Sequence, residues 1–220
     1  MKVDWSTFYQ HIIEATGETI YMVTLTLIFG SIFGITVGLA LFVTRQNNIL
    51  ENRWIFGILN FIINIIRPIP FIVFLVFLMP VTRTVMGTTI GTGAAIFPMA
   101  IMATFSVARI VEQNLMSIDP GVIEASKAMG ASPLQIIFTV LIPEALGPLV
   151  LGLTFVSIGL IDFSAVAGYV GGGGLGQVAI TYGYQRFDTS VMIVTVVILI
   201  ILVQIAQWIG NTIAKKLMRR

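Results

Sequence analysis

Long runs of hydrophobic residues, separated by short polar stretches, dominate this chain. Five of these runs lie at about Ile20–Val43, Trp54–Met79, Gly93–Val111, Leu146–Gly168 and Ser190–Ile209. A helix crosses the hydrocarbon core of a bilayer with about 20 apolar residues. The pattern therefore predicts an all-α, polytopic membrane protein with five transmembrane helices.

The first run carries a glycine at every fourth position, at Gly30, Gly34 and Gly38. On a helix these residues share one face, where small side chains let a second helix approach closely. We interpret this face as a packing surface in preference to part of a solute path.

The second run is interrupted near its middle by Arg67-Pro68-Ile69-Pro70. Prolines break helical hydrogen bonding, and a charge at this depth is costly. We expect a broken helix whose irregular backbone lies inside protein or beside a wet cavity. Arg67, Pro68 and Pro70 are candidates for a translocation path, although satisfying freed carbonyls is the favoured role of Arg67. The following residues, Pro80–Thr92, are expected to form a turn region.

Two polar residues, Asp162 and Ser164, lie near the middle of the fourth run and are also candidates for the path. A carboxylate is expensive within a bilayer and therefore suggests a specific role. Asp162 either pairs with Arg67 or faces a polar pocket, and the sequence leaves both interpretations open.

A glycine-rich stretch follows at Gly171–Gly176 and formally contains the motif G-x-G-x-x-G. No predicted strand precedes it and no βαβ unit surrounds it, so we reject a dinucleotide site. A flexible or tightly packed turn is the physical interpretation.

The composition agrees with a membrane protein that is not an enzyme. Of 220 residues 57% are hydrophobic and 10% charged, and the mean hydropathy is +0.99, whereas soluble domains carry about 25% charged residues. There is no cysteine, and His11 is the single histidine. No lysine follows a glycine, so the phosphate-binding P-loop is absent. We expect no active site and no cofactor or metal in this chain, and the small net charge of +2 gives no indication of nucleic-acid binding.

Orientation follows from the basic residues. A cytoplasmic C-terminus places eight of them inside and three outside, with Arg67 buried. The inner set is Arg45, Arg53, Arg109, Lys127, Lys215, Lys216, Arg219 and Arg220, and the outer set is Lys2, Arg83 and Arg186. This excess predicts an N-terminus outside the cell and a C-terminus in the cytoplasm. Residues 1–17 would then be extracytoplasmic, 18–212 the transmembrane domain and 213–220 a basic cytoplasmic tail.

The longest internal segment that does not resemble a bilayer span is Asp119–Pro143. Asp119 can cap a helix that begins at Pro120, because its carboxylate accepts free N–H groups and proline lacks one. Gly130 can end that helix in the left-handed conformation.

A second helix is expected to begin at Pro133. Ser132 and Gln135 have the spacing of a capping box. Its apolar residues have the spacing of one helical face: Leu134, Ile137, Phe138, Leu141 and Ile142. At ~1.5 Å per residue each of the two helices would be roughly 15 Å long, too short to cross a bilayer. A helix lying on the membrane surface remains an alternative.

The spacing in this segment resembles the signature of importer-type ABC-transporter permeases. That signature is Glu-Ala-Ala, three residues, Gly, nine residues, then Ile-x-Leu-Pro, and the matching residues are Glu124, Ala125, Ser126, Gly130, Val140, Ile142 and Pro143. In that family the segment is a coupling helix that docks into a groove on a separate ATPase. The resemblance implies that 112–145 is a cytoplasmic coupling loop, with these site residues: Asp119, Pro120, Glu124, Ala125, Lys127, Gly130, Ala131, Ser132, Pro133 and Pro143.

A wider resemblance extends from about Gly17 to Lys216. It is carried by Arg67–Phe71, Glu124–Pro133, Ser164-Ala165 before Gly168, Gly171–Gly176 and Tyr182-Gly183-Tyr184. These motifs are similar to those of the permease subunits of methionine importers, although Asp162 stands where that branch has smaller, uncharged residues. The resemblance implies the type I importer fold in a bacterial cytoplasmic membrane, and import of L- or D-methionine, another amino acid or a short peptide.

The same resemblance implies partners. They are a second copy of the chain that completes the path, a cytoplasmic ATPase dimer that binds ATP and Mg²⁺, and an extracytoplasmic binding protein, commonly a lipoprotein. Two other classes stay open. An ion-driven secondary transporter would use Arg67 and Asp162 as intramembrane charges, but five spans without an evident repeat argue against it. A membrane scaffold would recruit a cytoplasmic protein through Asp119–Pro143.

Overall fold

The computed structural model describes residues 5–218, and within them the regular structure is entirely helical. The helices are α1 (Trp5–Val43), α2 (Arg53–Ile66), α3 (Phe71–Met86), α4 (Thr92–Met116), α5 (Pro120–Ala128), α6 (Pro133–Gln135), α7 (Ile142–Tyr169), α8 (Gly174–Val178) and α9 (Thr189–Met218). Wider π-helical turns occupy Ile136–Leu141 and Ala179–Tyr184. The predicted all-α class is confirmed. Lys2, Arg219 and Arg220 of the orientation count lie outside the described residues.

Four helical stretches are long and apolar enough to cross a membrane: Phe8–Val43, Thr92–Met116, Pro133–Tyr169 and Thr189–Met218. A fifth candidate is the pair α2 and α3, which meet at a bend of 112° and form either a broken span or a re-entrant loop. By length and composition the structure thus provides four spans, or the predicted five if the bent pair α2 and α3 is one span.

The bend between α2 and α3 has a local cause. α2 ends at Ile66 and α3 begins at Phe71, with Pro70 preceding it at ψ 133°. Proline disfavours helical geometry in the residue before it, so the chain leaves the helix at this point. The predicted break at Arg67–Pro70 is confirmed.

Several helix boundaries differ from the sequence-based expectation. The first helix begins at Trp5 instead of about Ile20, because Phe8, Ile12 and Ala15 bury one side of it against α8 and α9. α3 continues through Pro80 to Met86, so the expected turn region Pro80–Thr92 shrinks to the few residues after Gly87. α4 continues beyond Val111 to Met116, and α9 continues beyond Ile209 to Met218, into the expected basic tail.

A further correction concerns the second short helix. It is not a separate element, because α6 runs through the π-helical turn directly into α7 as one stretch, Pro133–Tyr169. Pro143 lacks the N–H for a helical bond to Thr139, and Ile142 donates its N–H to Ile137 in the wider π pattern just before it. This local widening lets the helix continue through the proline.

The glycines of α1 form its contact with α4. A Cβ atom added at Gly30 would lie 2.5 Å from the Cβ of Ala103, and one at Gly34 would lie 2.5 Å from the Cβ of Val107. At Gly38 it would lie 2.6 Å from a backbone carbonyl oxygen of α4. The predicted packing face is confirmed, and it allows two long helices to lie backbone against backbone.

The glycine-rich stretch is a tightly packed turn. The Gly174 N–H donates to Glu18 Oε2 at 2.6 Å, and the Leu175 N–H donates to Thr19 Oγ1 at 2.9 Å. A Cβ at Gly172 would lie 2.7 Å from a backbone oxygen. Of the two alternatives for this stretch, the packed turn is correct, and α1 supplies the groups that hold it.

We predict that Gly34→Leu weakens the α1–α4 contact. The side chain has no room beside Val107, and overpacking of this kind destabilises proteins by about 1–3 kcal/mol. The measurement is the thermal unfolding midpoint of the purified protein in detergent. Gly17→Ala on the same helix is the matched control, since its Cβ meets nothing within 4 Å. Equal midpoints for both variants would contradict the close contact.

Candidate functional site

The start of α5 has the cap that the sequence predicts. Asp119 Oδ1 accepts a hydrogen bond from the Gly121 N–H at 2.8 Å, and Pro120 occupies the first turn. The carboxylate satisfies one of the N–H groups that a helix start leaves free, so the direction of α5 is fixed where it leaves α4.

The end of α5 is a sharp joint at Gly130. Its φ is +81°, a left-handed conformation that side chains other than glycine rarely adopt. The Gly130 N–H donates to Lys127 O at 3.0 Å, and the Ala131 N–H donates to Ser126 O at 3.1 Å. This pair of bonds is a Schellman motif.

The capping box at Ser132 is also present. The Ser132 N–H donates to Gln135 Oε1 at 2.8 Å, and the Gln135 N–H donates to Ser132 Oγ at 3.4 Å. Because α6 continues into α7, the joint connects a capped short helix to the start of a long one. We name Asp119–Pro143 the coupling segment.

The coupling segment is anchored on one side and free on the other. Its inner residues Ile136, Ile137 and Leu141 pack in one cluster with Phe42 and Leu115. Its outer side exposes apolar residues, namely Val122 (42% exposed), Met129 (81%), Leu134 (65%) and Phe138 (64%). We call these four residues the outward face. The expected single face of the second helix is therefore wrong, because its residues divide between the core and the outward face.

The charged residues of α5 lie on the side of that helix opposite Val122 and Met129, toward the loop after α1. Glu124 and Lys127 are exposed, as are Ala125, Pro133 and Pro143, whereas Ala131 is half-buried. A cleft of about 240 Å³ separates α5 from the loop after α1. Its polar and charged lining residues are Arg45, Asn47, Asn48, Glu124 and Lys127. Exposed apolar residues on one side of a short helix and charged residues on the other are typical of a segment that binds another protein.

The candidate path residues do not form one cluster. Arg67 is exposed at the bend and lines a cavity of about 150 Å³ with Ser106 and Gly159. Asp162 is exposed on α7, and among residues 5–218 no ion pair joins it to Arg67. Ser164 is buried, and its hydroxyl donates to Ile161 O at 2.7 Å.

Pro68 and Pro70 are exposed beside Arg67. The structure thus brings the bend close to α7 and places Ser164 within the helix packing. The roles of these residues in a path stay a prediction.

Sequence reasoning missed a polar cluster that joins α2, α4 and the loop after α1, with Glu112 as its buried centre. Glu112 of α4 is 2% exposed and accepts a hydrogen bond from Arg109 Nη1. Arg45 Nη1 lies 3.8 Å from its other carboxylate oxygen. Arg109 Nη2 also donates to Asn60 Oδ1 at 3.0 Å and to Asn64 Oδ1. We call these five residues the arginine cluster.

One signal in the sequence could have revealed this cluster. Asn60 and Asn64 stand four positions apart on an apolar run, which places two amides on one face of a helix that otherwise faces lipid or protein. Polar groups at such positions need an internal partner. In the orientation count Arg109 is only a charge at the end of a span.

Comparison with known proteins identifies the family. The model of the family "Binding-protein-dependent transport system inner membrane component" matches residues 30–219. The chain belongs to this family.

Relatives within this transport-system family are similar along almost the whole chain. The probable D-methionine transport system permease protein MetI of Vibrio cholerae is 45% identical, over 95% of this chain and 93% of its own length. The methionine import system permease protein MetP of Bacillus subtilis is 39% identical, over 94% of this chain and 93% of its own length.

Solved structures give the same result for the fold. The MetNI methionine ABC transporter, in an inward-facing conformation (CY5 SeMet soak crystal form), contains a chain with a TM-score of 0.95 at 41% identity. The match covers 98% of this chain and 99% of the other. An amino acid ABC transporter crystallised with histidines matches at a TM-score of 0.80 and 20% identity, which supports the fold alone. The expected type I importer permease fold is confirmed.

We predict that Glu112→Ala destabilises this transport-system component strongly. The change leaves Arg109 and Arg45 without their carboxylate, and breaking a buried pair typically costs about 3–5 kcal/mol. The thermal unfolding midpoint in detergent is the measurement. Glu14→Ala is the control, because it removes the same charge from a side chain that is 75% exposed. Similar midpoints for the two variants would show that the arginine cluster does not stabilise the fold.

Proposed function

We propose that the chain is the permease subunit of an ATP-driven ABC importer for methionine. The observation that carries this proposal is the match to the MetNI methionine transporter, with a TM-score of 0.95 over 98% of the chain. Relatives in Vibrio cholerae and Bacillus subtilis that are named as methionine permeases support the same substrate.

The path for the solute would lie between two copies of the chain. One side of α7 is uncovered in the single chain, with Phe155, Asp162 and Tyr169 exposed at helical spacing. Arg67 and the cavity beside Gly159 lie next to this side. A two-fold dimer would cover the exposed polar groups and enclose a path lined by both copies.

The energy would come from a separate ATPase dimer that binds ATP and Mg²⁺. The proposed docking surface for that ATPase consists of the outward face of the coupling segment and the exposed charged residues Glu124 and Lys127. The capped joint at Gly130 makes the segment stiff. Closure and opening of the ATPases would therefore rock the two permease copies between inward-open and outward-open states.

Methionine would reach the path from an extracytoplasmic binding protein. This arrangement requires the N-terminus outside and the coupling segment in the cytoplasm. The excess of basic residues on the side of the membrane that holds the coupling segment and the C-terminus favours this orientation. Arg67 and Asp162 supply one positive and one negative group near the path. These charges suit an amino acid with a carboxylate and an ammonium group, in either stereochemical form.

The proposal is tested by methionine uptake into lipid vesicles that contain the permease, its ATPase and its binding protein. We expect uptake that needs ATP on the ATPase side, together with co-purification of the ATPase. Uptake driven without ATP would instead support a secondary transporter. ATP hydrolysis by the complex without methionine uptake would support an ABC importer but exclude methionine as its substrate.

We predict that Glu124→Arg abolishes ATPase co-purification and uptake together. The change reverses an exposed charge of the proposed docking surface, where like-charge contact costs several kcal/mol. Glu14→Arg is the control, because this exposed glutamate lies on α1 far along the chain from the coupling segment. Normal co-purification of the ATPase with the Glu124→Arg variant would show that Glu124 is not part of the interface.

We also predict that Gly130→Val uncouples ATP hydrolysis from uptake. Its Cβ would meet nothing within 4 Å, so the damage comes from the left-handed backbone alone, at about 1–2 kcal/mol. Gly130→Asn is the matched control, since asparagine tolerates this conformation. The measurement is uptake per ATP hydrolysed in vesicles. Coupled uptake at the normal ratio by the valine variant would contradict the proposed stiff joint.

A further inference from the structure

We propose that Arg109, held by Glu112, is a positioning residue that carries movement of the coupling segment to the broken span through Asn60 and Asn64. The proposal rests on the proposed function in one respect, namely that the coupling segment docks on an ATPase. Beyond that function, it assigns a role to the arginine cluster, which lies outside the coupling segment.

The first step is the weak attachment of α2. Ile63 is its only buried residue among those described, and it packs against Leu41 and Ala108. The large residues on its other sides are exposed, among them Trp54 at 83% and Phe61 at 65%. In lipid there is no hydrophobic force that presses one apolar helix on another. The hydrogen bonds of Asn60 and Asn64 therefore contribute more to the position of α2 than they would in a helix held by apolar burial.

The second step is the link between the coupling segment and α4. Only three residues separate α4 from α5, the first helix of the coupling segment, and the Ile118 N–H donates a hydrogen bond to Leu115 O at 3.3 Å. Leu115 and Ile118 lie in the same buried cluster as Ile136 and Leu141 of the coupling segment. We therefore expect a movement of the coupling segment to displace the end of α4 with it.

The third step is the rigid setting of Arg109. Its side chain is 15% exposed and donates to Glu112 on its own helix and to Asn60 and Asn64 on α2. A guanidinium group is planar and its donors form a fixed fork, so the carboxylate of Glu112 sets the direction in which the other donors point. A displacement of α4 is then passed directly to α2.

The fourth step is the position of Arg67. Asn64 precedes it by three residues, and the Arg67 N–H still donates to Ile63 O at 3.1 Å, so the two residues belong to one continuous helical turn. Arg67 lines its cavity together with Ser106, which precedes Arg109 by three residues on α4. The arginine cluster thus lies one helical turn from the cavity on both helices.

A purely structural role for the cluster makes a different prediction. If the bonds to Asn60 and Asn64 only stabilise the fold, their loss lowers assembly, ATP hydrolysis and uptake together. If they position α2, their loss leaves the assembled complex and its hydrolysis intact and lowers uptake per ATP. The ratio of uptake to hydrolysis separates the two roles.

The test uses the complete complex of permease, ATPase and binding protein in lipid vesicles, with methionine as the probe. The double variant Asn60→Leu, Asn64→Leu removes both acceptors from Arg109 at nearly constant volume. The variant Asn60→Leu, Asn64→Asp restores one acceptor at the same place. Asn211→Leu is the control, because it makes the same change at an exposed position of α9.

We expect the double leucine variant to retain ATPase co-purification and hydrolysis, and to lose about tenfold in uptake per ATP, within the usual range of coupling between sites. The aspartate variant should recover most of that ratio, and Asn211→Leu should keep it. An unchanged ratio in the double leucine variant would overturn the proposal, and so would a joint loss of assembly, hydrolysis and uptake. Failure of the wild type to take up methionine concerns the proposed function instead.

Discussion

The rest of the structure depends on the contact between the backbones of α1 and α4. Lipid does not press helices together, so the contact relies on close packing at Gly30, Gly34 and Gly38. From this pair of helices the other elements are positioned. α1 holds the glycine-rich turn through Glu18 and Thr19 at one end, and α4 leads into the coupling segment at the other. A small change in the approach of the two helices would therefore be felt at both ends.

The polar groups show which parts of the molecule are fixed and which are not. Near the coupling segment, Glu112, Arg109 and Arg45 satisfy one another, and the turn at Gly174 has its N–H bonded to Glu18. At the bend and on α7, Arg67 and Asp162 remain exposed. Charges that are satisfied within one chain stabilise its fold, whereas exposed charges in an apolar span need water or another chain. One part of the molecule is thus held by charges that are paired within the chain, whereas the surface formed by the bend and α7 has charges without such partners among the described residues; we call the latter the unfinished surface.

Sequence reasoning predicted those features whose causes lie within a few residues. The caps at Asp119 and Ser132 and the break at Pro70 are of this kind, because each depends on near neighbours along the chain. The arginine cluster was missed because Arg109 and Asn60 lie 49 positions apart, and no local pattern brings them together. The continuous helix through Pro143 was also missed, since the buried neighbours of its π-helical turn come from α1 and α4.

The unfinished surface, formed by the bend and α7, indicates whether one copy of the chain is enough to form the functional unit. Irregular backbone at membrane depth is tolerated only when protein or a water-filled cavity covers it. In the single chain the bend at Arg67–Pro70 is largely exposed, and the cavity beside it is lined in part by Phe155 of the uncovered side of α7. One chain can therefore position the bend but cannot shield it. A second copy across a two-fold axis would satisfy this requirement for both chains at once, and would place the least satisfied charges along the axis where a polar solute must pass.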